Sequence, residues 1–212
     1  MKTIRSLIFS GSVLFFTYLM WEIIAPYTSG SLDIDFLLTK QRIIHLWHYR
    51  LAFYCHIFSS LVVLAAGITQ FSRYFLINLP QIHRFIGKIY VLFILFIAAP
   101  SGFVMGFYGN GNDMTKLSFI LLSILWWFST WKSYQLIRQK NIQAHGAWMM
   151  RSYALTLSAI TLRMMQFFIS QYNYDIAPED IYNIIAYPSW MLNALIAELI
   201  IQKTNWFSMI YK

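Results

Sequence analysis

Six runs of roughly twenty apolar residues dominate this chain, and that is the length a helix needs to cross a hydrocarbon core about 30 Å thick. They cover about 6–27, 51–72, 85–108, 117–137, 146–172 and 181–202. Because the runs are continuous rather than short and alternating, they predict helices and not barrel strands. Only 11% of residues are charged and 58% are hydrophobic, whereas a soluble domain carries roughly a quarter charged residues. The expected fold is therefore all-α: a polytopic membrane helical bundle of six transmembrane helices with a central four-helix core from spans two to five. Residues 1–212 form a single integral membrane domain, without internal repeats or low-complexity linkers. The first run exceeds a signal-peptide apolar region and lacks an A-x-A-like cleavage site, so it reads as a retained helix. Cys55 is the single cysteine, which excludes an intrachain disulfide and a cysteine-based metal site.

Sixteen basic and eight acidic residues give a net charge of +8. The basic residues punctuate apolar runs, so anionic lipid head groups, and not nucleic acid, are the expected counterions. Lys2 and Arg5, then Arg73, Arg84 and Lys88, then Lys132, Arg138, Lys140 and Arg151, and finally Lys203 and Lys212 fall on one predicted side. The fifth connection is acidic, with Asp175, Glu179 and Asp180. Both termini are expected on the cytoplasmic side. The first connection is mixed, setting Lys40, Arg42 and Arg50 against Asp33 and Asp35. Phe36, Leu37, Ile43, Ile44 and Trp47 there predict a surface-lying amphipathic helix.

Polar residues inside a bilayer are costly and face a bundle interior or a cavity. In the fifth span His145, Ser152, Thr156, Ala159 and Arg163 share one helical face, with His145 and Arg163 about 27 Å apart along the axis. The second span carries His56, Ser60, Val63, Gly67 and Gln70. The third carries His83, Gly87, Tyr90, Ile94 and Ser101, with Pro100 expected to kink its outer half. The fourth offers Ser123, Trp127, Thr130 and Tyr134. Topology sorts these into an inner layer of Gln70, His83, Tyr90 and His145, rimmed by Arg73, Arg84, Lys88, Arg138 and Arg151. An outer layer holds His56 and Arg163.

Two histidines on facing helices are able to ligate one haem iron axially. His83 and His145 start helices on the same predicted side and form the best pair. Neighbouring arginines, Arg84 and Arg151 among them, would neutralise propionates, and Gly87 would let a flat macrocycle approach the backbone. The competing reading makes both histidines interfacial residues bonded to head groups or water. His45 and His48 with His56 would suit copper or zinc, yet no carboxylate or cysteine completes the set, and a solvated amphipathic loop helix is the favoured reading. Arg163 reads either as an anion or quinone-carbonyl ligand or as a residue snorkelling to the outer interface. Glu22 and Glu198 read as interfacial. No phosphate loop or nucleophile elbow supports hydrolase or nucleotide-driven chemistry.

The run His83-Arg84-Phe85-Ile86-Gly87-Lys88-Ile89-Tyr90 is similar to a His-Arg-x-x-Gly-x-x-Tyr box. Ala144-His145-Gly146-Ala147-Trp148-Met149-Met150-Arg151, continuing to Arg163, is similar to a His-x-x-Trp-Met-x-Arg box. Both resemble a family of predicted bacterial integral membrane proteins of unassigned function. His56, Gly67 and Gln70-Phe71 look like its second-span pattern, and Trp126 with Thr130 like its fourth. The resemblance covers about 51–168 and implies an integral cytoplasmic (inner) membrane protein. More distantly the bundle resembles transmembrane b-type cytochromes and the membrane domains of ferric reductases. Those families place haem-ligating histidines in pairs on four helices, whereas the fourth span here has none.

The expected function is that of a membrane redox protein binding haem b, with quinone as an electron partner. The alternatives are a haem-free transporter or small-molecule or lipid-binding protein, and an accessory subunit of a membrane complex.

Overall fold

The structure is a computed structural model that describes residues 2–172 and 176–203, leaving out the side chains of 2–7, 9, 178 and 179. Asp175 and Lys212, and the side chains of Lys2, Arg5 and Glu179, lie outside the described residues. All regular elements among the described residues are helical. Helix α1 spans Lys2–Ile24, α2 Asp35–Leu38, α3 Trp47–Gln70, α4 Arg73–Asn78 and α5 Pro80–Phe93. A π-helical turn, Ile94–Ala98, leads into α6 (Ala99–Phe107), followed by α7 (Asp113–Arg138), α8 (Ile142–Thr156), α9 (Ser158–Tyr172) and α10 (Pro178–Lys203).

Six long helical stretches thus coincide with the six apolar runs. Three of them, Trp47–Gln70, Pro80–Phe107 and Asp180–Lys203, are long and apolar enough to cross a membrane by length and composition. In the first of these, the apolar run of α3 is interrupted mainly by small or hydroxylated residues, and Ser59 and Thr69 turn their hydroxyls back onto the helix backbone. Ser59 Oγ, for example, donates to the Cys55 carbonyl at 2.5 Å.

The chain divides into two units, Met1–Met105 and Gly106–Lys212. In the first, α3 packs against α1 on one side and against α5 and the π turn on another. The connection after α1 is ordered onto α3 by aromatic contacts rather than by a long amphipathic helix. A 3₁₀ turn (Ala25–Ser29) and the single turn α2 replace that helix. Tyr27 packs edge-on against Phe53 at 5.1 Å and takes the Phe36 N–H on its hydroxyl at 3.1 Å. Phe36 stacks on Phe53, and the Lys40 ammonium sits 5.3 Å from the Phe36 ring. Leu37 and Ile44 of this connection are buried within the protein. At the exposed end of the loop the Ser31 hydroxyl donates to Asp33 and holds its carboxyl below the usual range.

The third apolar run is bent by its proline in a specific way. Pro100 has no N–H to offer and its ring crowds the carbonyl four residues back, so the preceding turn widens to π spacing over Ile94–Ala98. The Ala99 N–H accordingly bonds the Ile94 carbonyl, five residues back.

In the second unit α7 and α8 form a tight antiparallel hairpin. Asn112 caps α7 by accepting the Thr115 N–H at 3.0 Å, and Asn141 caps α8 by accepting that of Ala144 at 3.1 Å. Lys140, with φ +61°, makes the left-handed turn between them. Helix α10 packs along α7, α8 and α9. The fifth apolar run, expected as one continuous helix, breaks at Leu157 into α8 and α9. The face drawn through His145 and Arg163 therefore does not run as one uninterrupted stripe.

Candidate cofactor site

Four histidines sit on the long helices, His48 in the first turn of α3, and His56, His83 and His145 each turn the same ring nitrogen toward a main-chain oxygen. In the first unit His56 Nδ1 is 2.9 Å from the Ala98 carbonyl, at the end of the π turn. His83 Nδ1 is 3.4 Å from the Thr69 carbonyl near the end of α3. In the second unit His145 Nδ1 is 3.0 Å from the Ser133 carbonyl and 2.9 Å from the Ser133 hydroxyl. A carbonyl only accepts, so Nδ1 carries the proton in each neutral ring and the lone pair lies on Nε2. The Ser133 hydroxyl also donates to the His145 carbonyl at 3.1 Å. A metal-ligating imidazole is ordinarily oriented in this manner, with the outer nitrogen donated to a carbonyl.

Around His83 the polar contacts extend to α3. The buried Gln70 amide donates to the His83 carbonyl at 3.1 Å and to the Thr69 hydroxyl at 3.0 Å. A Cβ on Gly87 would stand 2.9 Å from Gln70 Oε1. Gly87 thus admits the Gln70 side chain, which fills the space that the sequence assigned to a macrocycle edge. Tyr90, one turn on, is wholly buried. The sequence grouped Gln70, His83, Tyr90 and His145 in one inner layer; within the first unit the structure joins Gln70 directly to His83 and Gly87, and His145 belongs to the second unit. Arg84 is exposed and spends its Nε on the Pro80 carbonyl at 3.1 Å.

His145 belongs to a polar seam between α7 and α8. Thr130 and Ser152 share a hydrogen bond of 2.7 Å, and Trp126 Nε1 donates to the Thr156 hydroxyl at 3.0 Å. These pairs stand about equally far from the turn at 139–141, as antiparallel helices joined by a short turn require. That symmetry is the sequence signal through which Ser133 was discoverable as the partner of His145. On α7 the buried aromatic is Trp126, whereas Trp127 and Tyr134, assigned to the polar stripe, are each 39% exposed.

Two arginines have local partners. Arg151 makes a bidentate ion pair with Glu198 of α10, Nε to Oε1 at 2.5 Å and Nη2 to Oε2 at 2.9 Å, and lies 4.7 Å over the Trp148 ring. The two side chains are 27% and 40% exposed. This pair binds α8 to α10, and sequence reasoning, which left Glu198 at the interface, missed it. Arg163 donates through Nη1 to Gln166 Oε1 at 3.1 Å on its own helix. No group of three or more metal-ligating side chains occurs among the described residues, and His45 is exposed in the loop.

The family model described as "Predicted membrane protein (DUF2306)" matches residues 53–201. The chain belongs to this family. No curated protein and no solved structure matches. The family's shared stretch contains His56, Gln70, His83, Gly87, Tyr90, His145, Arg151 and Arg163, and leaves out α1, the ordered loop after it and the first turns of α3. It also extends past the boundary near 168 inferred from the two boxes, through α10, and so includes Glu198.

Proposed function

We propose that this membrane protein is a redox protein that binds haem b, with His83 and His145 as the iron ligands and quinone as an electron partner, and that all six long helical stretches cross the cytoplasmic membrane with both termini inside. The observation that carries the reading is the shared orientation of the imidazoles, Nδ1 held by a main-chain carbonyl and the lone pair on Nε2. Two imidazoles of fixed tautomer fit the donor set of a low-spin haem, which supplies a one-electron couple when bound. Within the protein, the Thr69 and Ser133 carbonyls orient the rings, and Gln70 tethers the backbone at His83. Arg84 is exposed and suits a propionate. Arg163 is the candidate for a quinone carbonyl.

The test is the oxidised and reduced absorbance spectrum of protein expressed with ample haem. A Soret band with a sharp reduced α-band is expected, and His83→Ala and His145→Ala should each remove it while His56→Ala keeps it. A properly folded protein without a Soret band overturns the reading.

A second reading, a haem-free transporter or small-molecule-binding protein, draws on the break at Leu157 and on Pro188 within α10. Interrupted spans often bind substrate in membrane transporters. Substrate-dependent protection of Leu157 and its neighbours from hydrogen exchange, in protein without haem, would favour it.

A further inference from the structure

The elbow between α3 and α5 is basic, apolar and without acid. Between Phe36 and Asn112 the chain contains no aspartate or glutamate. Arg73 opens α4 directly after the span Trp47–Gln70, and Arg84 and Lys88 lie one turn apart at the start of the span Pro80–Phe107. All three cations therefore lie at the same end of two membrane-spanning helices. Arg84 and Lys88 are exposed, as are Tyr74, Ile77 and Phe85 beside them. Arg84 spends one N–H on the Pro80 carbonyl and keeps its terminal nitrogens for other acceptors.

Like charges held one turn apart repel each other unless an anion lies between them. Exposed aromatic and aliphatic side chains next to them would cost free energy in water and gain it among acyl chains. From this geometry we infer that the α4–α5 elbow is a binding site for the phosphodiester head group of an anionic phospholipid, with Arg84 and Lys88 on the phosphate and Tyr74, Ile77 and Phe85 among the acyl chains. Each Lys or Arg at a membrane surface contributes appreciably to such binding. The inference shares Arg84 with the redox reading but needs no haem, and it is tested on haem-free protein.

The test uses the full chain, haem-free and delipidated, titrated with phosphatidylglycerol or phosphatidylcholine in mixed micelles, with retained lipid counted by native mass spectrometry. Phosphatidylglycerol should be retained preferentially. Arg84→Gln with Lys88→Gln should weaken that retention by roughly 10- to 30-fold. Arg84→Lys with Lys88→Arg should restore it, and Lys116→Gln, at an exposed pair with Asp113, should leave it unchanged. Equal retention of the two lipids, a double variant that keeps the preference, or displacement by equimolar glycerol phosphate would each overturn the proposal.

Discussion

His145 Nδ1 stands 3.0 Å from the main-chain oxygen of Ser133, twelve residues earlier, across the turn that joins α7 to α8. The serine hydroxyl closes the loop by donating to the His145 carbonyl at 3.1 Å. One residue thus fixes both the backbone and the tautomer of the histidine. Ser133→Ala removes the hydroxyl but keeps the carbonyl, so under the haem reading proposed above the low-spin spectrum should survive with a shifted reduction potential. Redox titration of the variant against the parent checks this; loss of the spectrum would show that the carbonyl alone does not hold the ring.

The seam between α7 and α8 should behave as a coupled unit. Thr130→Val leaves Ser152 without its 2.7 Å partner, and Ser152→Ala does the reverse. Each single change is expected to cost about 0.6–1.7 kcal/mol, the range for hydrogen bonds between membrane helices. The double variant should cost less than the two singles together. Unfolding in mixed micelles gives the cycle, and strict additivity would contradict a direct bond.

Two glycines admit close neighbours of different stiffness. At Gly87 a methyl meets the end of the Gln70 side chain at 2.9 Å. That amide is able to swing away at the cost of its hydrogen bonds, about 1–3 kcal/mol. At Gly106 a methyl meets Ile120 Cγ1 at 2.9 Å and its backbone nitrogen at 3.1 Å, and a helix backbone does not yield locally. Gly106→Ala should therefore lower the melting temperature more than Gly87→Ala, and Gln70→Ala should relieve only the latter.

The Arg151–Glu198 pair should respond asymmetrically. Arg151→Met alone strands a carboxylate and Glu198→Gln alone strands a guanidinium, each within helices that pack together. Both should reduce yield and melting temperature in nanodiscs. Arg151→Met with Glu198→Leu should recover most of the loss, because a half-exposed ion pair contributes little over apolar packing. A double variant as unstable as the worse single would assign the pair a role beyond compensation.

The six crossings proposed above would place alternate connections on opposite sides. With Cys55 replaced, single cysteines at Thr28 and Asn110 should react with an impermeant thiol reagent from the periplasmic side only. Cysteines at Asn78 and Gln139 should react only after the membrane is opened. Labelling of Asn110 and Gln139 from one side would remove the fourth crossing.

Much of the local structure was legible because hydropathy acts along the chain. Continuous apolar runs foretold the long helices, and Pro100 foretold a disturbance in the third. The form of that disturbance, a π turn whose last carbonyl meets His56, depended on α3 lying alongside. The break at Leu157 carries no glycine or proline to announce it. Of the stripe expected on α7, Ser123 and Thr130 are buried but Trp127 and Tyr134 are not, and Trp126 is the buried aromatic, because adjacent residues differ by only 100° and hydroxyl residues occur around much of that helix. The pairing of Arg151 with Glu198, 47 residues away, had no local signature at all.

By itself, then, the sequence settled what each segment must do with its apolar surface and its backbone hydrogen bonds: become a helix, in a family of membrane proteins, with its basic residues at the ends of runs. Only the tertiary structure decided which side chains meet. Gln70 rests on Gly87, Ser133 holds His145, and Glu198 neutralises Arg151 because helix rotation and register are set by packing between segments, and that is a property of no single segment.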